Sequence, residues 1–78
     1  MIVSIISPDA EIFKGEAQYV GVPGIDGSLG ILNNHAPLIT TLAEGEVLVR
    51  ISEGNEERIA VKGGVLEVLN NQVIILAE

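Results

Sequence analysis

The side chain best suited to proton transfer near neutral pH is His35, in Asn33-Asn34-His35-Ala36-Pro37. A nucleophilic site would need a second group beside it. The chain has no Cys, and no Ser, Asp or Glu stands at a spacing recognisable as a triad, although triad members can lie far apart in sequence. Nucleophile, base and orienting group must all be assembled for catalysis, so His35 reads as a loop histidine bonded to backbone ahead of the turn that Pro37 fixes. The stretch Gly24-Ile25-Asp26-Gly27-Ser28-Leu29-Gly30 has the glycines of a phosphate cradle. It lacks the Gly-Lys-Ser/Thr ending and following helix of a P-loop, and no βαβ unit surrounds it as in a dinucleotide fold. It reads as a surface loop whose glycines permit left-handed backbone angles. The acidic pairs Asp9/Glu11, Glu44/Glu46 and Glu56/Glu57 flank turns without the ladder of an EF-hand. They read as charges that solvate strand ends and protect sheet edges. No catalytic residue, cofactor site or metal site is expected.

Charge narrows the partners. Eleven Asp+Glu against four Lys+Arg give a net charge of −7, and Lys14, Arg50, Arg58 and Lys62 are too few and too scattered to follow a phosphate backbone. Nucleic acid is excluded on that ground, and an anionic bilayer surface would repel the chain. Without cysteine there is no disulfide or thiolate metal site. No apolar stretch reaches the roughly 18 residues of a membrane span, and Met1-Ile2-Val3-Ser4-Ile5 lacks the basic start of a signal peptide. A cytosolic location is the simplest reading.

The elements that must position these residues are strands. The length of 78 residues suits one domain, residues 1–78. Size scaling gives about 4,500 Å² of folded surface against about 11,900 Å² unfolded, enough for one thin core. That core is aliphatic, with 11 Ile, 9 Val and 8 Leu and only Phe13 and Tyr19 as aromatics. Disorder is excluded by this content. No window carries a helical apolar stripe; short β-branched runs are cut by turn residues instead, the pattern of a sandwich or barrel. Strands are expected over Ile2–Ser7; over Glu11–Val22, long and interrupted, with Gly15 at a bulge or bend; over Ser28–Leu32; and over Glu46–Ile51, Arg58–Lys62, Val65–Leu69 and Val73–Leu76. Ser52–Glu57 reads as a hairpin loop, Gly63-Gly64 as a bend and Asn70-Asn71 as a two-residue turn.

One feature departs from a plain sandwich. Ile5-Ile6, Val65-Leu66, Val68-Leu69 and Val73-Ile74-Ile75-Leu76 are apolar on both faces of their strands, where an antiparallel sheet should show water a polar face. One small core cannot take both sets. The surplus implies exposed apolar area of the kind that marks an interface, unless the chain's own loops cover it.

Several runs carry a resemblance. Gly27-Ser28-Leu29-Gly30-Ile31-Leu32, then His35-Ala36-Pro37-Leu38-Ile39-Thr40, then Gly45, then Gly63-Gly64-Val65-Leu66-Glu67-Val68 closely resemble the epsilon subunit of F-type ATP synthase, called delta in mitochondria. Pro8 to Gly15, with Phe13-Lys14-Gly15, resembles that family's second strand. The likeness runs from Ile2 to Ala77. It implies an all-β, flattened sandwich or barrel of about ten short, mostly antiparallel strands. It also implies a non-catalytic place in the rotating central stalk, between the gamma subunit and the membrane c-ring. The location would then be peripheral, on the cytoplasmic face of the inner or thylakoid membrane. By resemblance, the c-ring contact is Asp26, Gly27, Ser28 and Leu29 with His35 nearby. Asp26 would face an arginine of the c-ring loops, and Ser28 stands where an acidic residue is commoner. The gamma contact would lie around Ser7, Ala36, Ile39, Thr40, Val65 and Glu67. Family members usually continue into two C-terminal helices that inhibit hydrolysis and in some bacteria bind ATP. This sequence stops after its last strand, as a fragment or a naturally short form would, so those properties are not carried over. A stand-alone sandwich adaptor that binds a peptide on a sheet edge is the other reading.

Two expectations follow from sequence. Leu29→Asp and Ile31→Asp should leave the fold largely intact if those side chains are contact residues. ATP should leave the melting temperature unchanged, because only a ligand that binds the folded state raises it; thermal denaturation with and without the nucleotide reads this directly.

Overall fold

The computed structural model describes residues 1–78. It is built of nine strands: β1 (Ile2–Ile6), β2 (Glu11–Glu16), β3 (Tyr19–Gly24), β4 (Gly27–Leu32), β5 (Leu38–Leu42), β6 (Gly45–Ser52), β7 (Asn55–Val61), β8 (Gly64–Leu69) and β9 (Gln72–Ala77). β-branched residues suit a pleated surface and make up half or more of β1, β5 and β9, and Gly, Asn, Asp or Pro stand in most of the breaks. All pairings are antiparallel except β1 with β9.

Hydrogen-bonded order runs β2-β1-β9-β8-β5-β3-β6-β7, with β4 on the other side of β3. The ladder becomes a sandwich because β3 changes partner along its length. Tyr19–Gly21 pair with β6, whereas Gly24 pairs with Leu42 of β5. Backbone bonds from Ile25 N–H to the Thr41 carbonyl (3.0 Å) and from Ala43 N–H to the Pro23 carbonyl (2.7 Å) tie the corner. One layer is then β2-β1-β9-β8-β5 and the other β7-β6-β3-β4.

Between the layers lies one cluster of 16 buried apolar residues, drawn from alternate positions of every strand but β2, with Met1 and Ala17 added from outside the strands. Val3, Ile5, Leu66, Val73 and Ile75 come from the first layer and Val20, Ile31, Val47 and Val49 from the second, each no more than 1% exposed. No aromatic ring is buried; Phe13 packs against the cluster from its margin. The accessible surface is 4666 Å², near the size-scaling expectation.

Four local expectations are corrected. Glu11–Val22 is two strands, broken at Ala17-Gln18, because Ala17 N–H bonds the Met1 carbonyl and Gln18 N–H the Arg50 carbonyl. The bulge in β2 is at Ile12, where register passes from Ile5↔Phe13 to Ile6↔Glu11, and Gly15 keeps regular register with Val3. The glycine-rich segment is a hairpin rather than a loop, and the hairpin after β6 turns on Glu53-Gly54 alone, Gly54 taking φ +78°. Leu38–Leu42, not anticipated, is a strand because β8 offers it five register partners.

The turns obey backbone sterics. Asn70 (φ 52°) and Asn71 (φ 58°) are both left-handed, as a two-residue I′ hairpin requires. Gly64 has φ +144°, and a Cβ there would run into the carbonyl oxygen of Leu76. Backbone cannot yield as a flexible side chain can. Gly64→Ala should therefore lower unfolding stability by about 2 kcal/mol or more, read as a reduced urea midpoint at unchanged slope.

Candidate functional site

The β3–β4 hairpin closes with Gly24 opposite Gly27, leaving Ile25 and Asp26 as its two-residue turn. Gly27 takes φ +131° and faces open space. Asp26, Gly27 and Ser28 are exposed at this tip, whereas Leu29 is half-buried against the core. Asp26 has no ion-pair partner; the ion pair in the structure is Arg50 with Glu56. The adjoining Ile25, 61% exposed, went unnoticed in the sequence because a single apolar residue between glycines carries no periodic signal.

His35 lies at the other end of β4. Between Gly27 and Leu32 the strand rises about 16 Å, so His35 is not near the Asp26 tip as the resemblance implied. Its N–H donates to the Leu32 carbonyl (3.2 Å) and its ring Nδ1–H to the Ala36 carbonyl (2.7 Å). Asn34 N–H donates to Asn71 Oδ1 (2.8 Å), and the Met1 amino group donates to Asn33 Oδ1 (2.6 Å), which pin the loop beside the β8–β9 turn. A histidine bonded only to backbone here orders a loop; no carboxylate orients its ring and no hydroxyl awaits it.

A second surface is the outer face of the β2-β1-β9-β8-β5 layer. Register places Ile6 beside Leu76, Leu76 beside Val65 and Val65 beside Thr41 in one row. The next row reads Lys14, Ser4, Ile74, Glu67, Ile39. Ile2, Ile6, Ile39, Val65, Leu69 and Leu76, six of the nine exposed large hydrophobics, lie on this face, with Ile39 at 72% and Leu76 at 53%. The surplus inferred from the two-sided strands is therefore real and gathered on one side. Ile39, Val65 and Glu67 of the second predicted set meet here. Thr40 does not, because alternation turns it toward the interior opposite Leu66, where it is half-buried. Ser7, held by mutual bonds with Ala10, lies past one end of the face, and Ala36 lies past the other.

The outer face of the opposite layer is different in kind. The Tyr19 ring lies across two glycines, so that a Cβ on Gly30 would come within 2.9 Å of it and one on Gly21 within 3.1 Å. Beside it, the Arg50 guanidinium stands 5.1 Å from the ring centroid and its Nε–H donates to Glu56 (2.7 Å). An open trough of about 440 Å³ adjoins, walled by Pro23, Ser28, Glu46 and Leu48. No group of three or more His, Cys, Asp or Glu residues is arranged to hold a metal ion.

The model of the ATP synthase delta/epsilon chain β-sandwich domain matches residues 1–78. The chain belongs to this family. Among curated relatives, the ATP synthase epsilon chain of Dichelobacter nodosus is 49% identical over 76 residues, covering 97% of this chain and 53% of that one. The epsilon chain of Delftia acidovorans is 43% identical over 76 residues, covering 97% and 55%. The chain thus spans about half the length of the curated relatives it matches. A chain of the Euglena gracilis mitochondrial ATP synthase, solved as OSCP/F1/c-ring, has the same fold at TM-score 0.91 and 24% identity, covering 99% of this chain and 49% of that one. A chain of the Tetrahymena thermophila mitochondrial ATP synthase central stalk/c-ring matches at TM-score 0.81 and 21% identity, covering 99% and 62%. The delta/epsilon sandwich family accounts for the all-strand architecture read from the sequence.

The hairpin also corrects the expectation for Leu29 and Ile31. Ile31 is 1% exposed inside the core, so Ile31→Asp should unfold the domain, a loss above about 4 kcal/mol by denaturant titration. Leu29→Asp should take a smaller loss of about 1–2 kcal/mol and stay folded.

Proposed function

We propose that this delta/epsilon-type sandwich is a non-catalytic rotor module of an F-type ATP synthase, tying the gamma subunit to the c-ring so that torque passes without slip during ion-driven ATP synthesis. The observation that carries the reading is the register row Ile6–Leu76–Val65 with Ile39 and Leu69 around it. A free monomer rarely shows water such a continuous apolar patch, and permanent subunit interfaces are large and apolar. The gamma contact is assigned to this face, with Glu67 at its centre and Ser7 and Ala36 beyond its two ends. Thr40, turned to the interior opposite Leu66, is left out of it. His35 belongs with Ala36 on this side of the assignment, not with the hairpin tip.

The c-ring contact is assigned to the exposed tip, Asp26, Gly27 and Ser28, with Leu29 supporting it from beneath. An exposed pair between Asp26 and a c-ring arginine contributes only about 0–1 kcal/mol, so it sets register while the apolar face supplies affinity. Support comes from the c-ring and central-stalk assemblies that contain the chains of like fold. The membrane is reached only through these partners, on its cytoplasmic face. A stand-alone adaptor is favoured by no comparable observation.

Leu76→Asp combined with Ile39→Asp should change stability by less than about 1 kcal/mol, since both side chains are already wet. The same pair should weaken co-purification with gamma at least about tenfold. Asp26→Lys should spare gamma binding and weaken assembly with the c-ring. Wild-type gamma binding by the double variant would refute the assignment of this face.

A further inference from the structure

Three strands of the sandwich present an edge that no neighbour covers: β2, β7 and β4. A bare edge offers unpaired N–H and C=O groups to any extended chain, and proteins blunt such edges with charge, proline or a bulge. β2 carries Glu11, Lys14 and Glu16 and the Ile12 bulge. β7 carries Glu56, Glu57 and Arg58. The outer side of β5 is tied at Thr41 and Leu42, and its short remainder starts behind Pro37. β4, Gly27-Ser28-Leu29-Gly30-Ile31-Leu32, has no charge, no proline and unbroken register with β3.

Register also says which of its groups are free. A two-residue turn makes Gly24 and Gly27 a bonded pair, and bonded pairs alternate along an antiparallel ladder. Ser28, Gly30 and Leu32 therefore aim their backbone groups away from β3. Pro23, opposite Ser28, has no N–H to lose there. The Leu32 carbonyl accepts from His35, and no loop or turn bond reaches Ser28 or Gly30. Gly30 is exposed, and a glycine has only backbone to expose.

We propose that the outer edge of β4 accepts an extended, basic segment of another polypeptide as an added strand. Main-chain pairing supplies the binding and alternate side chains the selectivity. Charge selects the occupant: a second copy would bring −7 against −7, whereas Asp26 at the strand's end and Glu46 in the trough beside Ser28 both lack ion-pair partners. On the outer side the added strand meets Ser28, small enough to leave room for a long lysine or arginine stem, and then Gly30, which the Tyr19 ring covers, so that a basic head there lies against the ring. On the inner side it meets Leu29 and Ile31 and needs apolar residues. The segment therefore alternates basic with aliphatic. This goes beyond the coupling role, because the ligand here is the main chain of β4 rather than the side chains of the tip.

The test is to titrate the isotope-labelled chain with a short peptide alternating lysine and valine, following amide resonances and hydrogen exchange. The amides of Ser28, Gly30 and Leu32 should shift and gain protection while those of Leu29 and Ile31, already bonded to β3, change less. Leu32→Pro, which removes one outward donor and no ladder bond, should weaken binding roughly threefold to tenfold, the worth of one main-chain hydrogen bond. N-methylation of the peptide on its β4-facing residues should abolish binding without altering the protein. The inference is overturned by shifts centred elsewhere, by equal binding of a glutamate–valine peptide, by unimpaired binding of the N-methylated peptide, or by dimerisation through these amides without peptide.

Discussion

The change of partner along β3 is the constraint on which the rest of this sandwich depends. Its first half is laddered to β6 and its last residue to β5, so a single run of hydrogen-bonded strands must fold over at Gly24 and Leu42. That fold brings the apolar alternation of both layers together in one 16-residue cluster. Pro23 fits the corner because the side it turns toward the fold asks only for a carbonyl, which Ala43 uses. With aliphatic residues alone and no buried ring, the core is thin, and complementary alternation on both layers has to replace bulk.

A thin core has a second effect. Each strand of the β1-β9-β8 group is apolar on two faces, and only one face can be inside. The outer one becomes a wide aliphatic patch interrupted by Ser4, Glu67 and Lys14, while the opposite layer shows water the Tyr19–Arg50–Glu56 group and a polar trough. The two outer surfaces thus differ in chemistry as well as in position. Such asymmetry suits a part held between unlike neighbours: a broad greasy face for lasting attachment, and a small polar tip for orientation.

Much of this was legible in the sequence, for reasons that can be traced. Val47 and Val49 alternate with Glu46, Leu48 and Arg50, two of them charged, so β6 showed its inner face, and Asn70-Asn71 announced a turn that only left-handed backbone could make. The two-sided strands announced the patch. What escaped was set by long-range pairing. Leu38-Ile39-Thr40-Thr41-Leu42 has no clean alternation and becomes a strand because β8 lies beside it. Gly24 and Gly27 read as loop residues, yet they are the paired ends of a hairpin, and the Tyr19 ring that covers Gly21 and Gly30 left no mark in the sequence. The resemblance set His35 near Asp26, although the strand expected over Ser28–Leu32 lies between them and carries the two apart.

The parallel pairing of β1 with β9 has a kinetic meaning. Val3 and Val73, or Ile5 and Ile75, are register neighbours although nearly the whole sequence separates them. On a ribosome, the opening strand must wait, greasy and half-matched, until the ninth has emerged. Closure of so long a loop before any reward makes assembly of this sheet slow for its size. Nascent chains would be exposed to mispairing during that interval, and an early encounter with a chaperone would shorten it.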